Sequence, residues 1–383
     1  MKKARTKLFY LSLVVFSLLL AACFSPWTGT EEAEKGTIAL NLGADHSRSA
    51  SVSQIQYTIY LTRIIDGIPG DKVQHGQPVS HAASINISIA PGIYLIDLEA
   101  KLNGHDYANG STAAPVTVTA GSYASANVTM TMVFNILAFL QDPSFSGTPS
   151  DPILLPWVSQ LTYSNWDTLL AALESSGKYV SLDLSAALRG GSGDLLNNTG
   201  VFDPRNNTAS NSGKAQIVSL TLPGAAETIP DGEGAADFPF MDFTNLRQLD
   251  TGNGITRIGN IAYFNINLTS VIFRNTLEEI GFQAFRGNRL TEIFIPDSVR
   301  FIGPSAFDLD DNTITKIRLP GYPLEVGAAA FESGNLSEVT IGVNVNLVDN
   351  ASIHLPAGFK DVYESHGQAA GVYIHNGTTW VKQ

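Results

Sequence analysis

The 383-residue chain contains a single cysteine, Cys23, so it can form no internal disulfide, and its stability has to come from buried apolar surface. Positive charge is scarce: 23 lysines and arginines face 35 aspartates and glutamates, and the basic residues gather into no stripe. Such a surface repels phosphate backbones and anionic lipid heads, which argues against a nucleic-acid partner. The seven histidines never stand at metal-ligand spacing on a predicted helix; His75, His81 and His105 fall in polar loop text. With no Gly-x-Ser-x-Gly elbow, phosphate loop or dinucleotide fingerprint, neither a metal nor a cofactor is expected.

Apolar runs long enough to cross a membrane are also missing. Leu8 to Leu20 is almost uninterrupted, yet it falls short of the roughly 20 residues a spanning helix needs. It follows Lys2, Lys3, Arg5 and Lys7 and ends in Leu20-Ala21-Ala22-Cys23, the anatomy of a secretory signal over residues 1–22. The sequence LAAC resembles the lipobox of bacterial lipoproteins, which implies lipidation of Cys23 after cleavage. Two or more acyl chains such as palmitate, at about 0.8 kcal/mol per buried methylene, would anchor a body that does not span the bilayer. Loss of the leader leaves 19 basic residues against 35 acidic, a net charge of −16. Residues 23–35 are small, polar and acidic and read as a tether.

Over 36–132 apolar and polar residues alternate: Ile38, Leu40 and Leu42; Ile55, Tyr57, Ile59 and Leu61; Ile85, Ile87 and Ile89; Tyr94, Ile96, Leu98, Ala100 and Leu102. Val116 and Val118, then Val128, Met130 and Met132, continue it. Period two predicts strands, and about six half-buried strands need a second sheet to cover them, so a small β-sandwich is expected. The stretch APGIYLIDLEA resembles the turn and following strand of immunoglobulin-like and carboxypeptidase-regulatory-like modules. Residues 133–178 read as a linker, broken by Pro143, Pro149, Pro152 and Pro156, and a cap helix with Trp166, Leu169, Leu170 and Leu173 on one face.

From 179 to 350 the text repeats. Gly259, Gly281, Gly303 and Gly327 stand 22, 22 and 24 residues apart, each followed four positions later by Tyr263, Phe285, Phe307 or Phe331. Apolar triplets follow: Leu268/Val271/Phe273, Leu290/Ile293/Ile295, Ile314/Ile317/Leu319 and Leu336/Val339/Ile341. Upstream copies are Leu246/Leu249/Thr251, Ile217/Leu220/Leu222 and Tyr179/Leu182/Leu184. No coil of about 22 residues can bury its apolar face alone, so successive triplets must stack as a parallel ladder, with one strand and one irregular or 3₁₀ return segment per coil. The glycine is expected to permit a backbone turn, and the aromatic to fill the outer core.

The pattern L-x-x-I-G-x-x-A-F followed by L-x-x-I-x-I-P, written here as LEEIGFQAF…LTEIFIP and VRFIGPSAF…ITKIRLP, resembles the BspA-type leucine-rich-repeat proteins over about 176–350. That family includes many bacterial surface proteins, so the resemblance implies surface recognition or adhesion and a non-enzymatic chain. A cysteine frequent in the family is absent, with Asn245, Asn267, Asn288 and Asn335 nearby, and residues 224–243 are an insertion. Residues 351–383 read as a C-terminal cap: a short helix at Phe359–Gly367 and a hairpin around a two-residue Asn376-Gly377 turn.

Catalytic patterns dissolve in this register. Asp250-Thr251-Gly252 is the aspartic-protease tripeptide, but no second copy exists to share a proton. Asp308, Asp310 and Asn312 imitate the start of a calcium loop, yet Thr313 replaces its glycine and Leu319 its glutamate. What remains is surface. The residue between the second and third core positions points outward, giving the column Asp183, Thr221, Asp250, Ile272, Phe294, Arg318, Thr340; beside it runs Ser181, Ser219, Gln248, Ser270, Glu292, Lys316, Glu338.

Ile272 and Phe294, flanked by Arg318 and Lys316 and extended by Asp250, Glu292 and Thr340, form the candidate partner-binding patch. The expectation is therefore a mainly β chain: lipoprotein signal peptide, small β-sandwich, then a leucine-rich-repeat solenoid with terminal caps. Held to the bacterial cell envelope through Cys23, at the outer membrane or cell surface, it would bind a protein or glycan through the ladder. A structural envelope lipoprotein without a soluble ligand is the alternative, and a polysaccharide-acting enzyme a weaker one.

Overall fold

The computed structural model describes residues 35–41, 54–80, 84–157, 160–205, 211–234, 237–308, 314–321, 324–331, 336–347 and 358–383. The expected signal sequence, Cys23 and the tether up to residue 34 lie outside the described residues, as do His81, Asp310, Asn312 and Asn335. No helix among the described residues is long and apolar enough to cross a membrane.

The alternating text folds as nine strands: β1 (Gly36–Asn41), β2 (Ile55–Ile65), β3 (Ile68–Gln74), β4 (Val79–Ser80), β5 (Ser84–Ile89), β6 (Gly92–Leu102), β7 (His105–Thr112), β8 (Val116–Val118) and β9 (Tyr123–Met132). Two separate sheets were expected; hydrogen bonding joins all nine strands in the order β3-β2-β6-β7-β9-β1-β5, with β4 also on β2 and β8 on β6. The link is β9, whose first half, Tyr123–Asn127, runs parallel to β1 while its second half, Val128–Met132, runs antiparallel to β7. Every second residue of β2, β5 and β6 that the alternation marks as apolar is buried. β2 continues past Leu61 to Ile65, where Asp66 and Gly67, both with positive φ, make a two-residue turn into an exposed β3.

Residues 133–157 join this sheet to the repeats. Asn135 caps α1 (Ile136–Leu140) by accepting from the Ala138 N–H at 3.0 Å. The Phe139 ring packs against Phe134, Phe145 and His105, and His105 Nε2 lies 2.9 Å from Asp142 Oδ2. The buried Tyr107 hydroxyl donates to the Pro156 carbonyl. The linker reading of this region is corrected, because β10 (Ile153–Pro156) pairs in parallel with the first expected triplet and is itself the first rung of the ladder. Pro156 is tolerated because β10 is the edge strand, where a missing N–H leaves no ladder bond unmade. The expected helix is α2 (Tyr163–Ser176), capped by Thr162 and ended by Gly177 at φ 63°, with Trp166, Leu169, Leu170 and Leu173 all buried.

After β11 (Val180–Asp183), main and return strands alternate: β12 (Ile217–Thr221), β13 (Thr228–Ile229), β14 (Gln248–Asp250), β15 (Arg257–Ile258), β16 (Ser270–Ile272), β17 (Glu279–Ile280), β18 (Glu292–Phe294), β19 (Phe301–Ile302), β20 (Lys316–Leu319), β21 (Glu325–Val326), β22 (Glu338–Ile341) and β23 (Asn346–Leu347). The return segment is thus not irregular. Its strands form a second parallel ladder, β13-β15-β17-β19-β21-β23, with Ile229, Ile258, Ile280, Ile302, Val326 and Leu347 pointing inward.

Between the ladders the aromatics stack in one column. Phe240–Tyr263, Tyr263–Phe285, Phe285–Phe307 and Phe307–Phe331 have ring centroids 4.3, 5.1, 5.3 and 5.2 Å apart, the last two pairs within 5° of parallel. The repeated glycines keep an ordinary φ; their role is close approach rather than a left-handed turn, since a Cβ on Gly259, Gly281, Gly303 or Gly327 would come within 2.3 to 2.6 Å of the preceding coil's backbone. The left-handed residue comes two positions later, at Ile261, Gln283, Ser305 and Ala329. Buried Asn288 ties two coils, accepting from the Leu268 N–H and donating to the Tyr263 and Phe285 carbonyls.

Three expectations about the triplets need correction. A register shift between Val180 and Ser181 makes Val180, not Tyr179, the buried first position of its coil. Val271 is only half buried. And the main ladder is not continuous: β10-β11-β12-β14-β16 forms one sheet and β18-β20-β22 another, with no pairing between β16 and β18. Phe273 occupies the third core slot at this break, edge-on to both Phe285 and Phe307. Its ring is larger than the Leu, Ile or Thr that fills this slot in the other coils.

At the far end α3 (Phe359–Ser365) precedes β24 (Gly371–His375), which continues the sheet antiparallel to β22, and β25 (Trp380–Lys382), which pairs antiparallel to β24. The connection is a four-residue loop, not the expected two-residue turn. Asn376 Oδ1 accepts the Thr378 and Thr379 N–H groups, and His375 faces Trp380.

Candidate recognition face of the ladder

In a strand three residues long, the residues flanking the buried central one face outward together. The register brings Asp183, Thr221, Asp250 and Ile272 side by side on one sheet, and Phe294, Arg318 and Thr340 side by side on the next. The companion column aligns Ser181, Ser219, Gln248 and Ser270, then Glu292, Lys316 and Glu338. Both columns are aligned in register, divided by the break in pairing, but the outward reading fails at Asp183, which is buried and accepts the Ser185 N–H.

Ile272 is 51% exposed and Phe294 55%, and they occupy the two strands that border the break. The charged residues around them are held in place. Arg274 donates through Nε and Nη2 to both carboxylate oxygens of Asp250, and Asp250 Oδ1 also accepts the Gly252 N–H at 3.0 Å. The hydrogen bond to Asp250 holds the Arg274 guanidinium above its ordinary pKa.

Arg318 donates to the Ile295 carbonyl at 2.9 Å and to Asp297 Oδ1 at 2.9 Å, so it braces the turn behind Phe294. Lys316 Nζ lies 3.5 Å from Glu338, Glu292 is exposed beside Lys316, and Thr340, half buried, faces Val372 of β24. Sequence reading missed Arg274 and Asp297. Both lie just beyond the triplets, in turns whose course the spacing does not fix.

The Asp-Thr-Gly tripeptide is repeat architecture. Thr251 is fully buried and its Oγ1 accepts the Arg274 N–H, while Gly252, at φ 67°, turns the chain where a Cβ would sit 2.6 Å from the Leu222 carbonyl oxygen. Asp308, the one described member of the calcium-like run, is ion-paired with Arg286 at 3.1 Å. Among the described residues no cluster of three His, Cys, Asp or Glu could hold a metal.

The family model described as the BspA type leucine rich repeat region matches residues 236–354 in six copies. This part of the chain is similar to the BspA-type leucine-rich repeats. The match begins later than the expected 176–350, although the rungs β10, β11 and β12 belong to the same main ladder. No curated protein and no solved structure matches the chain.

Proposed function

We propose that this chain is a lipid-anchored bacterial cell-envelope protein that recognises a partner protein through the main ladder, with Ile272 and Phe294 at the centre of contact. The observation that carries the reading is that the two exposed large apolar side chains on the described repeat rungs of the main ladder, Ile272 and Phe294, coincide with the one interruption of their strand pairing. A desolvatable apolar pair ringed by charges that are already paired has the make-up of a hot spot, and the ion pairs of Arg274 and Arg318 reduce the ordering entropy lost on binding. A flat ladder suits a protein surface better than a small solute. The LAAC motif supports export and anchoring at Cys23.

Two experiments test this. A photo-crosslinking amino acid placed at 294 in living cells should yield one discrete adduct, abolished by Ile272→Ala, whereas the same probe at Glu99, on the exposed face of the N-terminal sheet, should not. Metabolic palmitate labelling should depend on Cys23, and protease added to intact cells should degrade the chain. No adduct from 294, or full protection from protease, would remove the recognition reading.

A further inference from the structure

The insertion at 224–243 builds a second feature, separate from the ladder face. Where the return ladder turns toward the aromatic column, Glu233 of the insertion faces Asn260, Ile261, Phe264, Phe282 and Gln283 of the next two coils around a cavity of about 380 Å³. Gly232 fixes how closely the insertion lies, since a Cβ there would come 2.7 Å from Ile261 Cγ1. Gly234 lines the cavity, with no atom of the described residues within 4 Å of a notional Cβ.

Three observations set this cavity apart. Its size falls within the range of small-molecule sites. The left-handed position recurs after each of the four glycines, but only here does it carry a β-branched residue, Ile261 at φ 50°, where the other coils place Gln283, Ser305 and Ala329, and this costly side chain lines the cavity. Phe282 is 43% exposed, although it follows the glycine at a coil corner that Pro304 occupies one coil later.

The lining chooses the ligand's chemistry. Asn260 Oδ1 accepts the Phe282 N–H at 2.7 Å, which fixes the amide orientation and leaves its NH₂ as donor. Glu233 supplies an acceptor and Gln283 both kinds of group. No cation lines the cavity, and the nearby Arg257 is held by Asp231 and Glu279, so phosphates and carboxylates are disfavoured. A cationic ligand would meet the Asn260 donors with one carboxylate to offset them.

What fits is a neutral molecule with one face of polarised C–H groups for the Phe264 and Phe282 rings and a rim of hydroxyls for the amides and carboxylate. We propose that the cavity is a binding subsite for a neutral saccharide.

The full chain in detergent is titrated with neutral tetrasaccharides of glucose, mannose, galactose and N-acetylglucosamine, followed by saturation-transfer NMR and calorimetry. Saturable binding of at least one is expected at millimolar concentration or below. Phe282→Ala should weaken it tenfold or more and Glu233→Gln severalfold, while Phe294→Ala on the ladder leaves it unchanged, so failure here and failure of the ladder reading are separable. Absence of saturation with every probe, unaltered binding in both cavity variants, or preferential binding of tetramethylammonium would each overturn the proposal.

Discussion

Tyr263 stacks on Phe285 with ring centroids 5.1 Å apart and planes 10° from parallel, and its buried hydroxyl has no hydrogen-bond partner among the described residues. Burial pushes the phenol pKa well above its ordinary value, so the group stays neutral and still lacks a partner. A buried donor left unmatched costs about 1–3 kcal/mol. Phenylalanine keeps the stacking area and removes the unmatched group, so Tyr263→Phe is expected to raise stability by about 1 kcal/mol, read as a higher urea midpoint with an unchanged slope. A lower midpoint would show that the hydroxyl is satisfied.

The glycine that recurs in each coil makes a second case. A methyl group on Gly281 would stand 2.6 Å from the Asn260 backbone nitrogen and 2.7 Å from the Gly259 carbonyl carbon, atoms that can yield only by separating two coils. Gly281→Ala should therefore destabilise by about 2 kcal/mol or more. Gly193 meets nothing within 4 Å and has an ordinary φ, so Gly193→Ala should change stability by less than about 0.5 kcal/mol. Equal effects in chemical denaturation would refute close approach as the reason for the glycine.

The main ladder was legible because each coil has to offer the same apolar positions to its neighbours, which leaves a repeating text. The return ladder was not, since strands of two residues, such as Glu279–Ile280, are too short to show a period. Ile153–Pro156 was hidden by its prolines, which punctuate a linker and are equally at home on an edge strand. At Tyr179 the spacing misled because a bulge moves the inward position by one residue. The outward columns of the candidate face followed from strand alternation alone. Its ion pairs and the break beside Phe273 did not, because they depend on turn geometry and on backbone pairing that side-chain spacing does not report.

Left-handed residues two positions after each glycine reverse the usual expectation for alanine. Ala329 has φ 53°, a region in which a Cβ costs about 1 kcal/mol and glycine costs nothing. Ala329→Gly should thus stabilise by roughly 0.5 kcal/mol once the looser unfolded chain is counted. The adjacent Ala330 is fully buried at an ordinary φ, and Ala330→Gly should destabilise by about 1 kcal/mol. Opposite signs at neighbouring alanines, measured by thermal unfolding, are the test; the same sign would show that backbone conformation is not what distinguishes them.

The joint between the N-terminal sheet and the repeats should weaken in acid in a defined window. The Asp142 carboxylate accepts hydrogen bonds from the Ser144 side chain and backbone N–H and faces His105, and these hold its pKa at about 2, against an ordinary 3.8. Because the folded value is the lower one, the contribution is whole above pH 4 and is lost as pH falls from about 4 through about 2. Asp142→Asn keeps the shape and removes the charge. Its Tm should lie below that of the unmodified chain at pH 7, by an amount that holds down to pH 4 and closes toward pH 2, other carboxylates cancelling in the difference. A gap that persists at pH 2 would mean that the Asp142 charge does not secure the joint.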